Sequence, residues 1–248
     1  MRLEGKTAIV TGGGSGFGEG MAKRFAEEGA NVVIADLNGD QAERVAQEIG
    51  ARAVAIQVDV ARAQDNQAMV AAALSHFKGL DIFVLNAGFT QKNMSMLEVD
   101  EQTFDRINDV NMKALYHAAR VVVPEMIKGG GGTVLATAST AGLRPRPGLV
   151  WYNASKAWVI NACKCMAVEL APHKIRVNTL CPVAGETGML ADFMGEDTPE
   201  IREKFKSVIP LGRFSQPRDM ANAALYLVSD EADFITGVAL EVDGGRCV

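Results

Sequence analysis

Short apolar runs recur along the chain at intervals typical of buried strands. The runs AIV, VVIA and FVLN are almost continuously hydrophobic and rich in β-branched side chains. This composition suits strands that are buried on both faces of a sheet. The pattern predicts strands at Thr7 to Thr11, Asn31 to Asp36, Ala53 to Val58, Asp81 to Asn86, Gly132 to Ala138, Ile175 to Cys181 and Val238 to Val242.

Between most of these runs the apolar positions change to helical spacing. We predict helices at Phe17 to Glu28, Gln41 to Ile49, Asn66 to Phe77, Phe104 to Met126, Trp151 to Ala171 and Arg218 to Val228. Strands that alternate with helices indicate βαβ crossovers and a mainly parallel sheet with helices on both faces. We therefore expect an α/β chain that folds as one doubly wound, Rossmann-type domain over residues 1–248.

One segment departs from this alternation. Residues 183–207 are too many for an ordinary connection, and they contain a helix-start signal in which Thr198 is the N-cap and Pro199 follows at N1. The apolar residues Met189, Leu190, Phe193 and Met194 share one helical face, a pattern that most often means core packing. Long ordered insertions are also where lids occur, so we predict a substrate loop or lid here.

Composition and charge exclude several classes of protein. The chain is 48% hydrophobic and 22% charged, as in soluble globular domains, and its net charge is -5 with Lys and Arg scattered. Neither a nucleic acid partner nor a membrane partner is expected, because there is no basic patch and no apolar run of ~20 residues. The first residues lack a signal-peptide pattern, so we expect a cytoplasmic protein.

Cysteine and histidine usage gives no metal-site signal. Cys163, Cys165, Cys181 and Cys247 lack paired ligand spacing, and the three histidines are isolated from one another. We expect reduced thiols with a packing role and assign no metal.

A dense glycine cluster follows the first predicted strand. The stretch TGGGSGFGEG, Thr11 to Gly20, contains six glycines in ten residues. It is either a loose surface loop or a phosphate cradle at the start of a helix. Its position between the first strand and the first helix favours the cradle, because a helix N-terminus directs free N–H groups at an anion. Gly12, Gly16 and Gly18 give the spacing G-x-x-x-G-x-G, which differs from the common G-x-G-x-x-G.

The second predicted strand ends in an acidic residue, Asp36. A carboxylate at this position can accept hydrogen bonds from both adenosine ribose hydroxyls. No Lys or Arg lies in the glycine loop or directly after Asp36 to bind a 2′-phosphate, so NAD is expected rather than NADP. The alternative is that Asp36 only caps the turn beside Asn38 and Gly39.

A candidate catalytic pair lies at the start of the helix that begins near Trp151. In YNASK, Tyr152 and Lys156 are four residues apart, which places both side chains on one helical face. A nearby ammonium group is expected to lower the tyrosine pKa, and such a pair can shuttle a proton to or from an alcohol oxygen. Ser139 ends the predicted strand VLATA, on the expected cofactor side of the sheet, where its hydroxyl can bond a substrate carbonyl.

These motifs together resemble the short-chain dehydrogenase/reductase family over nearly the whole chain. The matching elements, in family order, are TGGGSGFG, Asp59 in VDV, the NAG of residues 86–88, Asn111 in DVN, Ser139, YNASK, the Pro182 to Thr187 element and the terminal VDGG. The resemblance implies seven parallel strands and, commonly, a homotetramer.

The resemblance also implies a role for each site residue. Tyr152 is the expected general acid/base, Ser139 the substrate polariser, Lys156 the residue that lowers the tyrosine pKa and holds the nicotinamide ribose, and Asn111 the anchor of a water relay. The expected cofactor-binding residues are Gly12, Ser15, Gly16, Phe17, Gly18, Asp36, Leu37, Asp59, Val60, Asn86, Ala87, Gly88, Tyr152, Lys156, Pro182 and Thr187.

The chain departs from the family pattern at three positions. It has Val183 where the family usually has glycine after proline, Gly185 where a β-branched residue is frequent, and Leu85 where an asparagine often precedes NAG. The first two changes alter the loop that begins at Pro182.

The segment after Ser139 supplies the substrate candidates Arg144, Arg146 and Trp151. Guanidinium groups pair with carboxylate, sulfonate or phosphate, so these arginines could serve an anionic substrate, and they fit a solvated, proline-stiffened loop equally well. A sugar-like substrate is also compatible with the sequence of this segment. We predict an NAD-dependent oxidoreductase that interconverts an alcohol and its aldehyde or ketone. The alternatives are a 3-oxoacyl-carrier-protein reductase and a catalytically silent NAD-sensing scaffold.

Overall fold

All seven predicted strands are present in the computed structural model, which describes residues 1–248. Each strand begins and ends within one residue of its predicted boundary. The strands are β1 (Thr7–Thr11), β2 (Asn31–Asp36), β3 (Ala53–Gln57), β4 (Ile82–Leu85), β5 (Gly132–Thr137), β6 (Ile175–Pro182) and β7 (Ala239–Val242).

The strands form one parallel sheet in the order β3-β2-β1-β4-β5-β6-β7. The chain builds outward from β1 to β3 and then returns to place β4 on the other side of β1, where Ile9 pairs with Phe83. This reversal creates a crevice outside the carboxyl ends of β1 and β4, which is where ligands bind in open α/β sheets. The predicted doubly wound fold is confirmed.

Helices cover both faces of the sheet. They are α1 (Gly16–Glu27), α2 (Gly39–Ile49), α3 (Ala63–Phe77), α4 (Glu101–Ile107), α5 (Ala114–Lys128), α6 (Val150–Leu170), α7 (Leu190–Met194), α8 (Pro199–Lys206) and α9 (Pro217–Val228). No helix combines the length and the apolar character that a bilayer-spanning segment requires.

One predicted helix is interrupted. The stretch predicted from Phe104 to Met126 is divided into α4 and α5 by a π-helical turn, Asn108–Lys113. Such turns change the direction in which side chains leave a helix and are frequent at functional sites. Here the turn contains Asn111, whose side chain bonds the loop after β4.

Alternate residues of each central strand face opposite layers of core. In β1, Ile9 belongs to a cluster of 28 buried residues shared with α3, α5 and α6, whereas Ala8 and Val10 belong to a cluster of 21 shared with α1, α2 and α9. Because successive side chains of a strand point to opposite faces, apolar residues at every position place apolar side chains on both faces of the sheet. This burial explains why the strand sequences lack polar alternation.

The long segment after β6 is ordered around a small apolar cluster of its own. Thr198 caps α8 as predicted, accepting a hydrogen bond from the Ile201 amide at 3.3 Å. The buried residues of the cluster are Val183, Leu190, Met194, Ile209 and Phe214. Because its core is separate from the two main clusters, this segment is attached to the sheet but packed as a local unit.

Candidate active site

A cavity of about 390 Å³ lies at the carboxyl ends of the strands, at the β1–β4 reversal. Asn86 fastens the strand ends there. Its amide donates to the carbonyls of Thr11 (3.1 Å) and Gly12 (3.3 Å), and its Oδ1 accepts from Thr137 Oγ1 at 3.1 Å. The Asn86 side chain thus links the ends of β1, β4 and β5 and holds these strand ends in position beneath the cavity.

The glycine loop forms an open cradle at one end of the cavity. Gly12 and Gly16 have φ of +62° and +54°, a left-handed conformation that glycine adopts readily. A Cβ at Gly18 would overlap the Gly12 carbonyl, so this third glycine permits α1 to pack directly on the loop. Ser15 is the N-cap of α1, yet its hydroxyl makes no bond to the helix. The free N–H groups of the first turn and this hydroxyl are suited to a phosphate.

Asp36 borders the same cavity and also holds the glycine loop. Its Oδ2 accepts from the Gly14 amide and its Oδ1 from the Asn38 amide, each at 2.9 Å. Asp36 therefore shapes the turn, as the alternative interpretation expected, and it also presents a carboxylate to the cavity. A carboxylate oxygen has two lone pairs, so these bonds leave capacity for ribose hydroxyls.

Sequence reasoning overlooked one basic residue near the loop. The Arg44 guanidinium donates to the Gly14 carbonyl at 3.0 Å from α2. Its charge is already paired with Glu19 at 2.8 Å and Glu48 at 2.7 Å, and Arg44 does not line the cavity. The pair with Glu48 is an i, i+4 pair within α2 that the sequence spacing could have indicated, whereas the pair with Glu19 is a tertiary contact with α1. Because Arg44 is paired with these two glutamates, it does not supply a free positive charge beside Asp36 in the cavity.

The remaining predicted cofactor residues also reach the cavity, except Gly18, which lies beneath the loop. Asp59 is held by its own turn, because its Oδ1 accepts from the Ala61 amide at 3.1 Å. The other members that line the cavity are Gly12, Ser15, Gly16, Phe17, Asp36, Leu37, Val60, Asn86, Ala87, Gly88, Tyr152, Lys156, Pro182 and Thr187.

Ser139, Tyr152 and Lys156 meet at the other end of the cavity. Lys156 Nζ lies 5.7 Å from the centre of the Tyr152 ring and donates to the Thr137 carbonyl at 2.9 Å. Ser139 Oγ accepts from the Ala141 amide at 3.1 Å, a bond that does not use the hydroxyl proton. All three residues are almost fully buried.

Burial dominates the protonation of this group. It raises the pKa of Tyr152 to about 12, although the Ser139 hydroxyl and then the Arg146 charge act in the opposite direction. Burial also lowers the pKa of Lys156 to about 8. We expected Lys156 to lower the pKa of Tyr152. That expectation is wrong for the net shift in this structure, because the pKa of Tyr152 is raised. The phenol is protonated at neutral pH, because desolvation of the phenolate outweighs its favourable neighbours.

Asn111 lies beside the cavity rather than in its wall. Its Nδ2 donates to the Phe89 carbonyl at 2.9 Å and to Ser155 Oγ at 3.0 Å, and its Oδ1 accepts from the Phe89 amide at 2.8 Å. The π-helical turn thus connects the loop after β4 to α6, one turn from Tyr152.

The segment 183–207 closes one side of the cavity. The Phe193 ring packs edge-on against Tyr152 with centroids 5.2 Å apart, and Met189 also lines the wall, whereas Leu190 and Met194 are buried in the local cluster. The single apolar face predicted for α7 therefore divides between core and cavity. Sequence alone did not identify Phe193, because an aromatic residue at helical spacing has the same pattern in either place.

Gly185 explains one departure from the family pattern. A Cβ at this position would overlap the Phe17 ring and lie 2.6 Å from Ser215 Oγ. The absence of a side chain at Gly185 therefore makes room for Phe17 at the cavity edge, and a β-branched residue does not fit this packing.

The three substrate candidates separate in the structure. Arg146 lines the cavity, and its guanidinium stacks on the Phe205 ring at 5.2 Å from the centroid. Arg144 is exposed outside the cavity and donates to the Arg246 carbonyl at 2.8 Å. Trp151 packs edge-on against Phe104, 5.3 Å between centroids, and does not line the cavity either. The two arginines are two residues apart in the chain, and residue order alone did not reveal that only one of them reaches the cavity.

The structure brings Cys247 close to Glu241 and Asp243, with one ligand atom of each within 4.8 Å of the others. Burial, followed by the neighbouring carboxylates, raises the pKa of the Cys247 thiol to about 12. All four cysteines are free thiols.

Comparisons with known proteins agree with this geometry. The family profile described as enoyl-(acyl carrier protein) reductase matches residues 12–246. The chain is 49% identical to 4-formylbenzenesulfonate dehydrogenase of Comamonas testosteroni, over 99% of each protein. The chain belongs to the short-chain dehydrogenase/reductase family. The predicted family and the predicted oxidoreductase class are confirmed.

Two solved structures of this family share the fold closely. A 3-ketoacyl-(acyl-carrier-protein) reductase from Brucella melitensis, complexed with NADH, is 50% identical with a TM-score of 0.94, covering 99% of this chain and 100% of its own. A 7α-hydroxysteroid dehydrogenase complexed with NADH and 7-oxo glycochenodeoxycholic acid is 37% identical with a TM-score of 0.92, covering 98% and 95%.

Proposed function

We propose that this short-chain enzyme uses NAD to interconvert an alcohol with its aldehyde or ketone, with Tyr152 as general acid/base. One observation carries the proposal: a single cavity connects the glycine cradle and Asp36 to Ser139, Tyr152 and Lys156. The balanced reaction is alcohol plus NAD⁺ giving carbonyl compound, NADH and a proton. The glycine cradle, Asp36 and Lys156 would hold the cofactor, which would supply a hydride acceptor as NAD⁺ in this direction and a hydride donor as NADH in the reverse direction.

The protein side chains handle the proton and the substrate oxygen. With a pKa near 12, the Tyr152 phenol carries its proton at neutral pH and donates it to the carbonyl oxygen during reduction. Ser139 donates a hydrogen bond to the same oxygen and keeps its own proton. Lys156 keeps two N–H groups beyond its bond to Thr137, which suit ribose hydroxyls and a phenolate formed during turnover.

Asn111 is proposed to support this proton transfer from outside the cavity. Its amide fixes the Phe89 backbone and Ser155, and its Oδ1 retains one lone pair for a water molecule. Residues 183–207 are proposed to act as the lid of the single domain, since Phe193 covers Tyr152 from this segment.

Turnover is tested by following NADH at 340 nm with a panel of aldehydes, ketones and alcohols. We expect reduction of carbonyl compounds with NADH and oxidation of the corresponding alcohols with NAD⁺. A protein that binds NADH but turns over no member of the panel in either direction would contradict the proposed reaction.

The cofactor preference is tested through Asp36. Calorimetry should show NADH bound at least about 10-fold more tightly than NADPH, because a 2′-phosphate would lie against the carboxylate without a free cation. The double change Asp36→Ala with Leu37→Arg should shift the preference toward NADPH. The control Asp40→Ala removes an acid in the first turn of α2 and should leave the ratio unchanged. Equal affinities in the unaltered protein would refute the preference.

A second candidate is 3-oxoacyl reduction on a carrier protein, favoured by the 50% identity to the Brucella reductase. Acetoacetyl-CoA is a simple test substrate. Turnover of this thioester far exceeding that of every free aldehyde would favour the second candidate.

We also propose that the protein works in the cytoplasm as a homotetramer. The assembly is supported by large apolar side chains that are exposed in the isolated chain, among them Val168, Leu211 and Phe234. Exposed apolar surface of this kind is often covered by a neighbouring subunit.

A further inference from the structure

The strongest unassigned feature of the cavity is the guanidinium of Arg146. It lines the cavity that contains Tyr152, and it stacks on Phe205 from α8. Stacking occupies one face of the guanidinium plane and leaves its five N–H donors at the edge. Arg146 forms none of the molecule's ion pairs, and its guanidinium donates no hydrogen bond within the chain.

The charge around Arg146 also lacks compensation. Arg246 from the C-terminal segment adds a second positive charge nearby, and no carboxylate forms an ion pair with Arg146. Burial, reinforced by Arg246, lowers the pKa of Arg146 from its ordinary value, although arginine remains charged at neutral pH. A partly buried charge of this kind is costly unless a ligand of opposite charge pairs with it.

The loop that carries Arg146 is held in place before any ligand binds. Asn153 Nδ2 donates to the Arg146 carbonyl at 2.8 Å, and Asn93 Nδ2 donates to the Pro147 carbonyl at 3.2 Å. The Gly148 carbonyl accepts from the Met94 amide at 3.1 Å. Flanking prolines restrict the backbone further. Because the loop is preorganised, little ordering opposes binding at the guanidinium.

We propose that the substrate carries an anionic group, a carboxylate or sulfonate, and that Arg146 binds it while Tyr152 faces the reacting oxygen. This inference rests on the proposed oxidoreductase function and specifies its substrate class. Arg146 acts as the specificity-determining residue, because a fork of N–H donors matches two oxygens of such a group. Arg144, although it lies two residues earlier, takes no part because it is outside the cavity.

Binding of two unreactive, nearly isosteric probes tests the charge requirement. In calorimetry on the NADH-loaded enzyme, we expect 4-methylbenzenesulfonate to bind at least about 10-fold more tightly than the neutral 4-methylbenzenesulfonamide. Arg146→Gln should abolish this preference, whereas Arg146→Lys should retain part of it because the charge remains. Arg144→Gln is the matched control and should retain it fully. NADH affinity should be unchanged in all three variants.

Kinetics with 4-formylbenzoate and its methyl ester provide the second readout. Arg146→Gln should raise KM for the anion by roughly 10-fold or more and leave KM for the ester nearly unchanged. The inference is overturned if the unaltered enzyme shows no charge preference, or if Arg146→Gln weakens both probes and NADH alike. The charge preference of the unaltered enzyme is measured without any variant. The proposed anionic substrate can therefore be tested even if Arg146→Gln does not fold. Charge-dependent binding without turnover of any carbonyl compound would reject the proposed function but retain the anion site.

Discussion

At the scale of single residues, the site depends on burying groups that water would otherwise stabilise. Tyr152 and Lys156 are both almost fully buried, and burial shifts the pKa of each toward its neutral form, to about 12 and about 8. The same burial excludes water from the reacting atoms. Substituting Tyr152 tests its role in proton transfer, and substituting Lys156 tests the free-energy cost of burying its charge.

Tyr152→Phe should remove turnover while NADH binding persists, because the ring remains and only the transferable proton is lost. We expect kcat to fall by about 10²–10⁴-fold. Tyr116→Phe is the control, since that hydroxyl is exposed on α5 and bonds Arg120. Steady-state kinetics and calorimetry provide the two measurements. A Tyr152→Phe enzyme that kept more than about a tenth of its activity would rule out the acid/base role.

Lys156→Met should change how stability depends on pH. The folded pKa of Lys156, about 8, lies below its ordinary value of 10.5. Between these values the unfolded chain binds a proton that the folded chain does not, so this residue makes the free energy of unfolding rise with pH. We expect the wild-type value minus the Lys156→Met value to increase by roughly 3 kcal/mol from pH 8 to pH 10.5.

Urea unfolding at several pH values measures this difference. Taking the difference between the two proteins removes the contribution of groups that do not interact with Lys156, such as Cys163. A difference that stayed constant across the interval would mean that Lys156 is not desolvated in solution.

At the scale of elements, α7 serves the cavity and the local core at once. Phe193 faces Tyr152, whereas Met194, the next residue, is buried among Val183, Leu190 and Phe214. Neighbouring residues on a helix point about 100° apart, so one short helix supplies both surfaces. The two roles can be separated by substituting adjacent positions.

Phe193→Ala should lower kcat/KM by about 10-fold with little change in Tm, because it removes the ring that covers Tyr152 and admits water. Met194→Ala, the matched control, should instead destabilise the protein by about 2 kcal/mol through a buried cavity and change kcat/KM less. Thermal unfolding and NADH-linked kinetics on both variants test this contrast. The assignment of α7 as a lid helix is wrong if the two variants behave alike.

At the scale of the whole molecule, apolar surface remains after the fold is complete. Phe234 is 100% exposed and Val168 is 80% exposed in the isolated chain. Both lie outside the cavity, so assembly would cover them without obstructing the ligand site.

Light scattering coupled to size-exclusion chromatography should give about four times the mass of one chain. Phe234→Asp should weaken this assembly, because association would then bury a carboxylate without a partner. The control Glu231→Ala alters an exposed acid near the same segment and should leave the mass unchanged. A monomer at micromolar concentration would refute the proposed tetramer.

The sequence by itself determined the strands, most helices and the order of the site motifs, because these depend on local periodicity and on residue types with few alternatives. The buried β1 run AIV and the Thr198–Pro199 helix start are examples. The glycine spacing likewise predicted the cradle, since positive φ at Gly12 and Gly16 is a local backbone property.

Tertiary structure alone decided which side chains share the cavity and how strongly each is desolvated. It separated Arg146 from Arg144, directed Phe193 onto Tyr152 and divided the predicted helix after Phe104 at Asn111. It also reversed the expected pKa shift of Tyr152. These outcomes depend on contacts between residues far apart in the chain, and the free energy of burying a charge depends on everything packed around it, which no local pattern records.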